Sequence, residues 1–183
     1  FNSVNNSNLT CIEVDDETYS LMNWTNIDNG VTFSIGCNNP CSSVGLGPLT
    51  YVPDDNFENY LELNNMGNGI PNDDSVLTAN IDTVTYLDVS NKSISDLTGI
   101  EDFVALTTLN CDQNQLTSLN LSGSMGITDL SCMNNQLTSL DVTGLTALTG
   151  LHCSDNQITS LDVSSFTGLT QFNFSNNPLT SLN

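Results

Sequence analysis

Positive charge is almost missing from this chain. Among its 183 residues there are one lysine, Lys92, no arginine and one histidine, His152, against 21 acids, for a formal net charge of −20. A surface that holds nucleic acid neutralises phosphates with Lys and Arg, and this one has nothing to do it with. The same shortage argues against anionic lipid surfaces and phosphorylated substrates, whereas strong acidity favours solubility and attracts divalent cations. Long apolar runs are missing too: none approaches the roughly 18 residues needed to span a bilayer, so membrane insertion is not expected. The chain opens with FNSVNNSNLT, not with the basic start and apolar stretch of a secretory signal. That opening reads as a mature or internal piece and says little about export. Asn, Ser and Thr dominate the polar positions, so the surface should be mostly amide and hydroxyl.

What the chain does have is a period. From Leu106 to Asn183 it falls on itself when slid by 21 residues. Leu109, Leu130, Leu151 and Phe172 coincide, as do Cys111, Cys132, Cys153 and Phe174. Asn114, Asn135, Asn156 and Asn177 coincide, followed by Leu116, Leu137, Ile158 and Leu179, then Leu119, Leu140, Leu161 and Leu182. A fixed period of this length means a solenoid, and L-x-x-L-x-L/C-x-x-N-x-L is the pattern of a leucine-rich repeat. The expected fold is an α/β-type repeat solenoid, mostly strand and coil, with a parallel sheet on its concave face and a short helical N-terminal cap. Alternation within Leu109-Asn110-Cys111 is that of a strand, and each ladder Asn can pair with backbone groups that no sheet would satisfy. A second short run, Leu119-Asn120-Leu121 or Leu140-Asp141-Val142, suggests a smaller ladder on the far side.

Read in order, residues 1–37 do not begin a domain. NLTCIEVDD fits the repeat frame with Leu9, Ile12 and Val14 at its apolar positions, after which the frame stops. Residues 9–37 therefore read as the last strand of an array and its closing cap, with Trp24 and Phe33 covering the core. Cys11, Cys37 and Cys41 lie outside the regular array, and Cys11 would bond Cys37 or Cys41. Residues 38–50, rich in Gly, Pro and Ser, form a linker or tight loop. Residues 51–80 form the cap, with a helix over 53–63 in which Asp55 and Glu58 make a capping box. Phe57, Tyr60 and Leu61 share one helix face, and Gly67 takes the left-handed position after the helix. Residues 81–183 form the solenoid, whose first repeat is 22 residues long and carries Lys92 in the ladder-Asn slot.

The chain resembles the secreted leucine-rich repeat proteins of flavobacteria and related Bacteroidetes. The resemblance rests on TYVPDDNFENYLE, NIDTVTYLDVSNKSISDLTGIEDF, the NQLTSL repeats and NLTCIEVDDETYSLMNWTNID, and it covers nearly the whole chain. It implies export, often through a C-terminal sorting domain, and an adhesive or unassigned role. No sorting domain lies in this sequence. In such proteins the last of these strings follows an array and the first precedes one, so their order here is inverted. Joining end to beginning repairs it: NPLTSLN and FNSVNNSNLTCIEVDD read straight through, with Phe1 in the place of Leu121 or Val142. Ile12 then follows Phe172 by 23 residues. The expectation is one unit of a tandem array or head-to-tail filament, in which Phe1, Leu9, Ile12 and Val14 meet Phe172, Phe174, Leu179 and Leu182. An uncovered last strand would be an aggregation hazard, and a heterologous contact that does not close yields a fibre. The alternative is a monomeric cell-surface module that binds glycan or protein.

Ligands of leucine-rich repeats usually meet the outward positions of the concave sheet. Here these are Tyr86, Asp88 and Ser90; Thr108, Asn110 and Asp112; Asp129, Ser131 and Met133; Gly150, His152 and Ser154; and Gln171, Asn173 and Ser175. With one Tyr and no Arg this face lacks the usual anchors of tight interfaces, and suits glycans or nothing. Ser131 and His152 could suggest a nucleophile and base, but no orienting carboxylate or oxyanion hole stands out, and no paired carboxylates mark a cleft, so no enzyme is expected. Cys111, Cys132 and Cys153 sit at leucine positions and read as small hydrophobes, not metal ligands. No cofactor is expected. The loop NNMGNGIPNDD is acid-rich enough to suggest calcium, but Met66 breaks the D-x-D-x-D-G spacing. Sequons fall at Asn8, Asn23, Asn91, Asn120 and Asn173, and easily by chance. The Bacteroidetes resemblance also implies O-glycosylation at the Asp-Ser/Thr-aliphatic sites Ser75 and Thr83.

Overall fold

The structure is a computed structural model; it describes residues 47–183 and, before them, strands β1 (Cys11–Glu13) and β2 (Thr32–Ser34). The chain forms two compact units, Phe1–Leu46 and Gly47–Asn183. In the first, β1 and β2 pair in parallel, Cys11 with Thr32, Ile12 with Phe33 and Glu13 with Ser34. The offset of 21 residues is that of the later repeats. The coil's period therefore persists past Val14, where the apolar frame was expected to stop. Parallel pairing depends on a crossover of sufficient length, not on a leucine at every slot. The expected roles of Leu9, Val14 and Trp24, and the bridge from Cys11 to Cys37 or Cys41, lie outside the described residues.

The second unit opens with a cap. Strand β3 (Leu49–Tyr51) pairs antiparallel with β4 (Ser75–Leu77), so residues 49 and 50, expected in the linker, belong to the cap hairpin, and Thr50 is buried. Between them runs helix α1 (Asp55–Leu63), and a short helix α2 (Thr78–Ile81) follows β4. The helix is capped by Asp54, not by Asp55: Asp54 Oδ1 accepts from Asn56 N at 3.0 Å and Phe57 N at 3.1 Å. Asp54 wins because its other oxygen has work elsewhere, accepting from Ser95 N, Ser95 Oγ and Asp96 N. Burial pushes this carboxyl up, but the bonds from Ser95, Phe57 and Asp96 outweigh it and hold it below the usual range. Glu58, freed from a capping box, is fully buried and accepts from Asp73 N and Asp74 N.

The helix ends in a left-handed turn at Asn65 (φ 60°), not at Gly67. Asn65 N donates to Glu62 O and Met66 N to Leu61 O at 2.9 Å, a double closure of the last turn. Gly67 serves a different purpose: a Cβ there would run into the Glu62 carboxylate, which accepts from Asn68 N and Gly69 N. On the inner face Phe57 and Leu61 are fully buried and Tyr60 partly so, and the Phe57 ring stacks on Phe103 with centroids 6.4 Å apart. Thr50 Oγ1 donates to Asp102 Oδ2 at 2.6 Å. Gly99 (φ 102°) lies so close to β3 that a Cβ would stand 2.7 Å from Tyr51 O.

The solenoid follows: β5 (Tyr86–Asp88), β6 (Thr108–Asn110), β7 (Asp129–Ser131), β8 (Gly150–His152) and β10 (Gln171–Asn173) form one parallel sheet in that spatial order. Leu87, Leu109, Leu130, Leu151 and Phe172 are register partners. On the far side, β9 (Ser160–Leu161) and β11 (Ser181–Leu182) pair in parallel. Among the described residues that ladder is confined to these two turns; the corresponding Leu119 and Leu140 runs are not strands. The core is one continuous cluster from Val52 to Leu161, including Cys111, Cys132 and Cys153 at zero exposure.

Successive turns are tied by two columns of side chains. Asn114 Oδ1 accepts from Lys92 N and Ile94 N, while its Nδ2 donates to Val89 O and Cys111 O. Asn135, Asn156 and Asn177 repeat the pattern against Leu116, Leu137 and Ile158. The second column is threonine. The hydroxyls of Thr107, Thr128, Thr149 and Thr170 donate to the carbonyls of Thr85, Thr107, Thr128 and Thr149 at 2.9–3.2 Å.

Candidate functional site: the concave sheet face

Strand alternation sends Leu109, Leu130 and Leu151 into the core and their neighbours outward. The outward residues form three columns across the sheet. The first runs Tyr86, Thr108, Asp129, Gly150 and Gln171; the second Asp88, Asn110, Ser131, His152 and Asn173. Tyr86 is 62 % exposed and Gln171 is exposed, while Asp88, Asn110, Asp129, Ser131, His152 and Asn173 are partly buried. The third column, two residues past the end of each strand, is Ser90, Asp112, Met133, Ser154 and Ser175. Ser154 departs from the expected exposure: it is 3 % exposed. It lies where the chain bends inward, and its carbonyl accepts from Asn134 N and Asn156 Nδ2. Gly150 is buried because the Asp129 carboxylate lies over it; a Cβ there would stand 2.7 Å from Asp129 Oδ2.

Much of this polarity is used to hold the face itself. Asp88 and Asn110 accept from Ser90 N and Asp112 N, two residues on, as Asn173 does from Ser175 N, which turns the chain at the strand ends. Asp112 Oδ1 accepts from Ser131 Oγ at 2.7 Å and Met133 N at 2.6 Å. Ser131 thus gives its proton to Asp112, not to His152, and no carboxylate is hydrogen-bonded to the His152 ring among the described residues. The face carries Asp88, Asp112 and Asp129 with no Lys or Arg; Lys92 stands apart, over the Tyr60 ring at 5.6 Å.

The remaining candidates fall away from this face. Cys111, Cys132 and Cys153 are free and buried. Burial pushes all three thiols up, with the Asp112 charge adding to it at Cys111, and Cys153 reaches about 11. Cys111 Sγ donates to Ser131 O. The described residues include one acidic group able to converge on a cation: Asp55, Glu58 and Asp74, with ligand oxygens within 4.8 Å of one another. Glu58 and Glu62 both serve backbone N–H groups of the 68–74 loop, so its acids brace the loop from within. Burial raises the Glu58 carboxyl above its usual value, against the two N–H bonds that lower it. Ser75 Oγ donates to Asp73 and accepts from Asn68 Nδ2, whereas Thr83 is exposed. At the far end Phe172 and Leu179 are partly buried, Phe174 is 37 % and Leu182 45 % exposed. Phe1 and the side chains of Leu9, Ile12 and Val14 lie outside the described residues. The threonine column escaped the repeat reading, although its 21-residue spacing from Thr107 to Thr170 was there to be seen.

Residues 77–177 match the family model described as the leucine-rich repeat domain of the endo-β-N-acetylglucosaminidase EndoS. Internalin J of Listeria monocytogenes serotype 4b is 41 % identical over 72 residues, 39 % of this chain and 8 % of that protein. A solved structure described as the functional domain of InlJ from Listeria monocytogenes, which includes a cysteine ladder, superposes with a TM-score of 0.65 at 40 % identity. The match covers 75 % of this chain and 31 % of that one. An internalin structure (inlF) from the same species gives 0.53 at 26 % identity over 73 % of this chain and 36 % of that one. The chain thus spans about a third or less of these relatives. It has the parallel sheet, the Asn ladder and a column of buried cysteines, and it belongs to the bacterial leucine-rich repeat domains of the EndoS type, with internalins among its relatives.

Proposed function

We propose that the protein is an extracellular structural or adhesive module, repeated along a fibre or a larger surface protein, in which each unit completes the solenoid of the one before. The observation that carries this is that the two ends of the chain share one repeat frame. Leu9, Ile12 and Val14 stand at the spacing of Leu106, Leu109 and Cys111, and β1 pairs with β2 in parallel at the 21-residue offset of the later turns. The strong acidity, the resemblance to secreted flavobacterial proteins and the internalin relatives support an extracellular setting. No helix of the described residues is long and apolar enough to cross a membrane. The commitment of Ser131 to Asp112 favours a non-catalytic module. Sedimentation of the full chain under native conditions tests the reading: concentration-dependent polymers are expected, and a strict monomer that binds a ligand overturns it for separate subunits.

A second reading is favoured by the concave face itself. As a single unit the module would bind a glycan or protein surface across Tyr86, Asn110, His152 and Gln171. Loss of ligand on Tyr86→Ala, without loss of fold, identifies that case.

A further inference from the structure

We infer that the joint between units is a parallel strand pairing of β10 with β1 of the next copy, in the register Gln171 with Cys11, Phe172 with Ile12 and Asn173 with Glu13. This rests on the array reading above and adds to it which strand docks, in which direction and at which register.

Three observations converge on that register. The first is direction and period. β1 and β2 pair in parallel at an offset of 21 residues, the offset that relates β6 to β7, β7 to β8 and β8 to β10. Strands β1 and β2 are therefore already paired in the direction and at the offset that a continuation of the solenoid needs. The second is the apolar frame. Leu9, Ile12 and Val14 stand at the spacing of Leu106, Leu109 and Cys111, and only one register lays that frame over Phe172 and Phe174. A slip of one residue would turn every apolar side chain to the wrong face.

The third is the threonine column. In each turn the Thr two residues before the central leucine donates its hydroxyl to the carbonyl of the same position one turn earlier. Thr149 O accepts from Thr170 N, Gln171 N and Thr170 Oγ1. Thr170 O holds the equivalent place on the outer edge of β10, the last strand of its sheet. Two residues before Ile12 the sequence has Thr10. The hydroxyl that continues the column is thus in the slot that the apolar frame independently demands.

The occupant is a second copy because both halves of the fit, strand β10 and the strand in frame with it, are carried by this one chain. A parallel partner also makes the contact heterologous, so it propagates and does not close on itself.

The test is a two-unit chain joined end to end, with Asn173→Cys in the first unit and Glu13→Cys in the second. Mild oxidation followed by peptide mass spectrometry should show a 173–13 link in most chains. Placing Ser34→Cys in the second unit in place of Glu13→Cys should give little or none. Asn173 faces outward by strand alternation and Glu13 holds the equivalent place in the sequence frame; unchanged circular dichroism of the reduced chain verifies that folding is retained. A 34–173 link in place of 13–173, or a 13–173 link that forms equally when both cysteines lie in one unit, overturns the inference. Polymers from the native chain with no 173–13 link overturn the register but leave the array standing. A monomeric native chain together with an unlinked two-unit chain overturns both.

Discussion

Asn156 Nδ2 donates to the carbonyl of Cys132, 24 residues earlier, at 2.9 Å, while Oδ1 of the same amide accepts from Leu137 N at 3.0 Å. One side chain thus satisfies the bend of the previous turn and, through bonds to Cys153 O and Ser154 O, of its own. Replacing Asn156 by Ala should lower stability by about 2–4 kcal/mol, because several buried groups lose their partner at once. Urea unfolding of the variant measures this; a loss below that expected at an exposed site would show that water substitutes freely for the amide.

The buried thiols predict a one-sided pH response. Burial holds Cys111, Cys132 and Cys153 above the ordinary value of 9.0, with Cys153 at about 11. The native state therefore keeps protons that the unfolded chain gives up. Stability from this source is complete below pH 9 and declines as the pH rises toward 11. The same three thiols should resist alkylation at pH 8 in the folded protein and react fully in denaturant, since the thiolate is the nucleophile.

Asp54 gives the opposite sign. Its carboxyl is held below its ordinary value of 3.8, so its contribution is present above that pH and is lost as the pH falls through the folded value. Asp54→Ala should cost about 1–2 kcal/mol from the helix cap alone, and more because Ser95 and Asp96 lose their acceptor. Asp55→Ala, one residue on, should cost little. If the two variants melt alike, the cap has been placed on the wrong residue.

In the turn of β10, Phe174→Asp should separate assembly from folding. Phe174 is 37 % exposed and touches Phe172, with ring centroids 4.6 Å apart. The change should alter single-chain stability by about 1 kcal/mol or less while abolishing the polymers expected in sedimentation. Polymers that survive it would place the joint elsewhere.

For glycosylation, the two candidate sites should behave differently. The Ser75 hydroxyl is tied between Asp73 and Asn68, whereas Thr83 is exposed. Material from a native host should carry sugar at Thr83 and not at Ser75, and an intact mass equal to that of the sequence would remove both sites.

By itself the sequence determined the coil, its pitch and its inward residues. Leucine periodicity is local and repeated, so any single turn predicts the others, and the ladder Asn announces itself by position. It also told which cysteines are buried, because Cys111, Cys132 and Cys153 stand in leucine slots. Only the tertiary structure decided the choices between equivalent neighbours. Asp54 caps α1 in preference to Asp55 because Ser95 and Asp96, some 41 and 42 residues away, need its second oxygen. Asn65 takes the left-handed turn, while Gly67 leaves room for the Glu62 carboxylate. Ser154 is buried although it occupies an outward slot, and residues 32–34 keep the parallel register without a leucine among them. The turn around Leu109 could be read from its letters. The burial of Ser154 could not, because it depends on what packs against the bend, and those neighbours come from other turns of the coil.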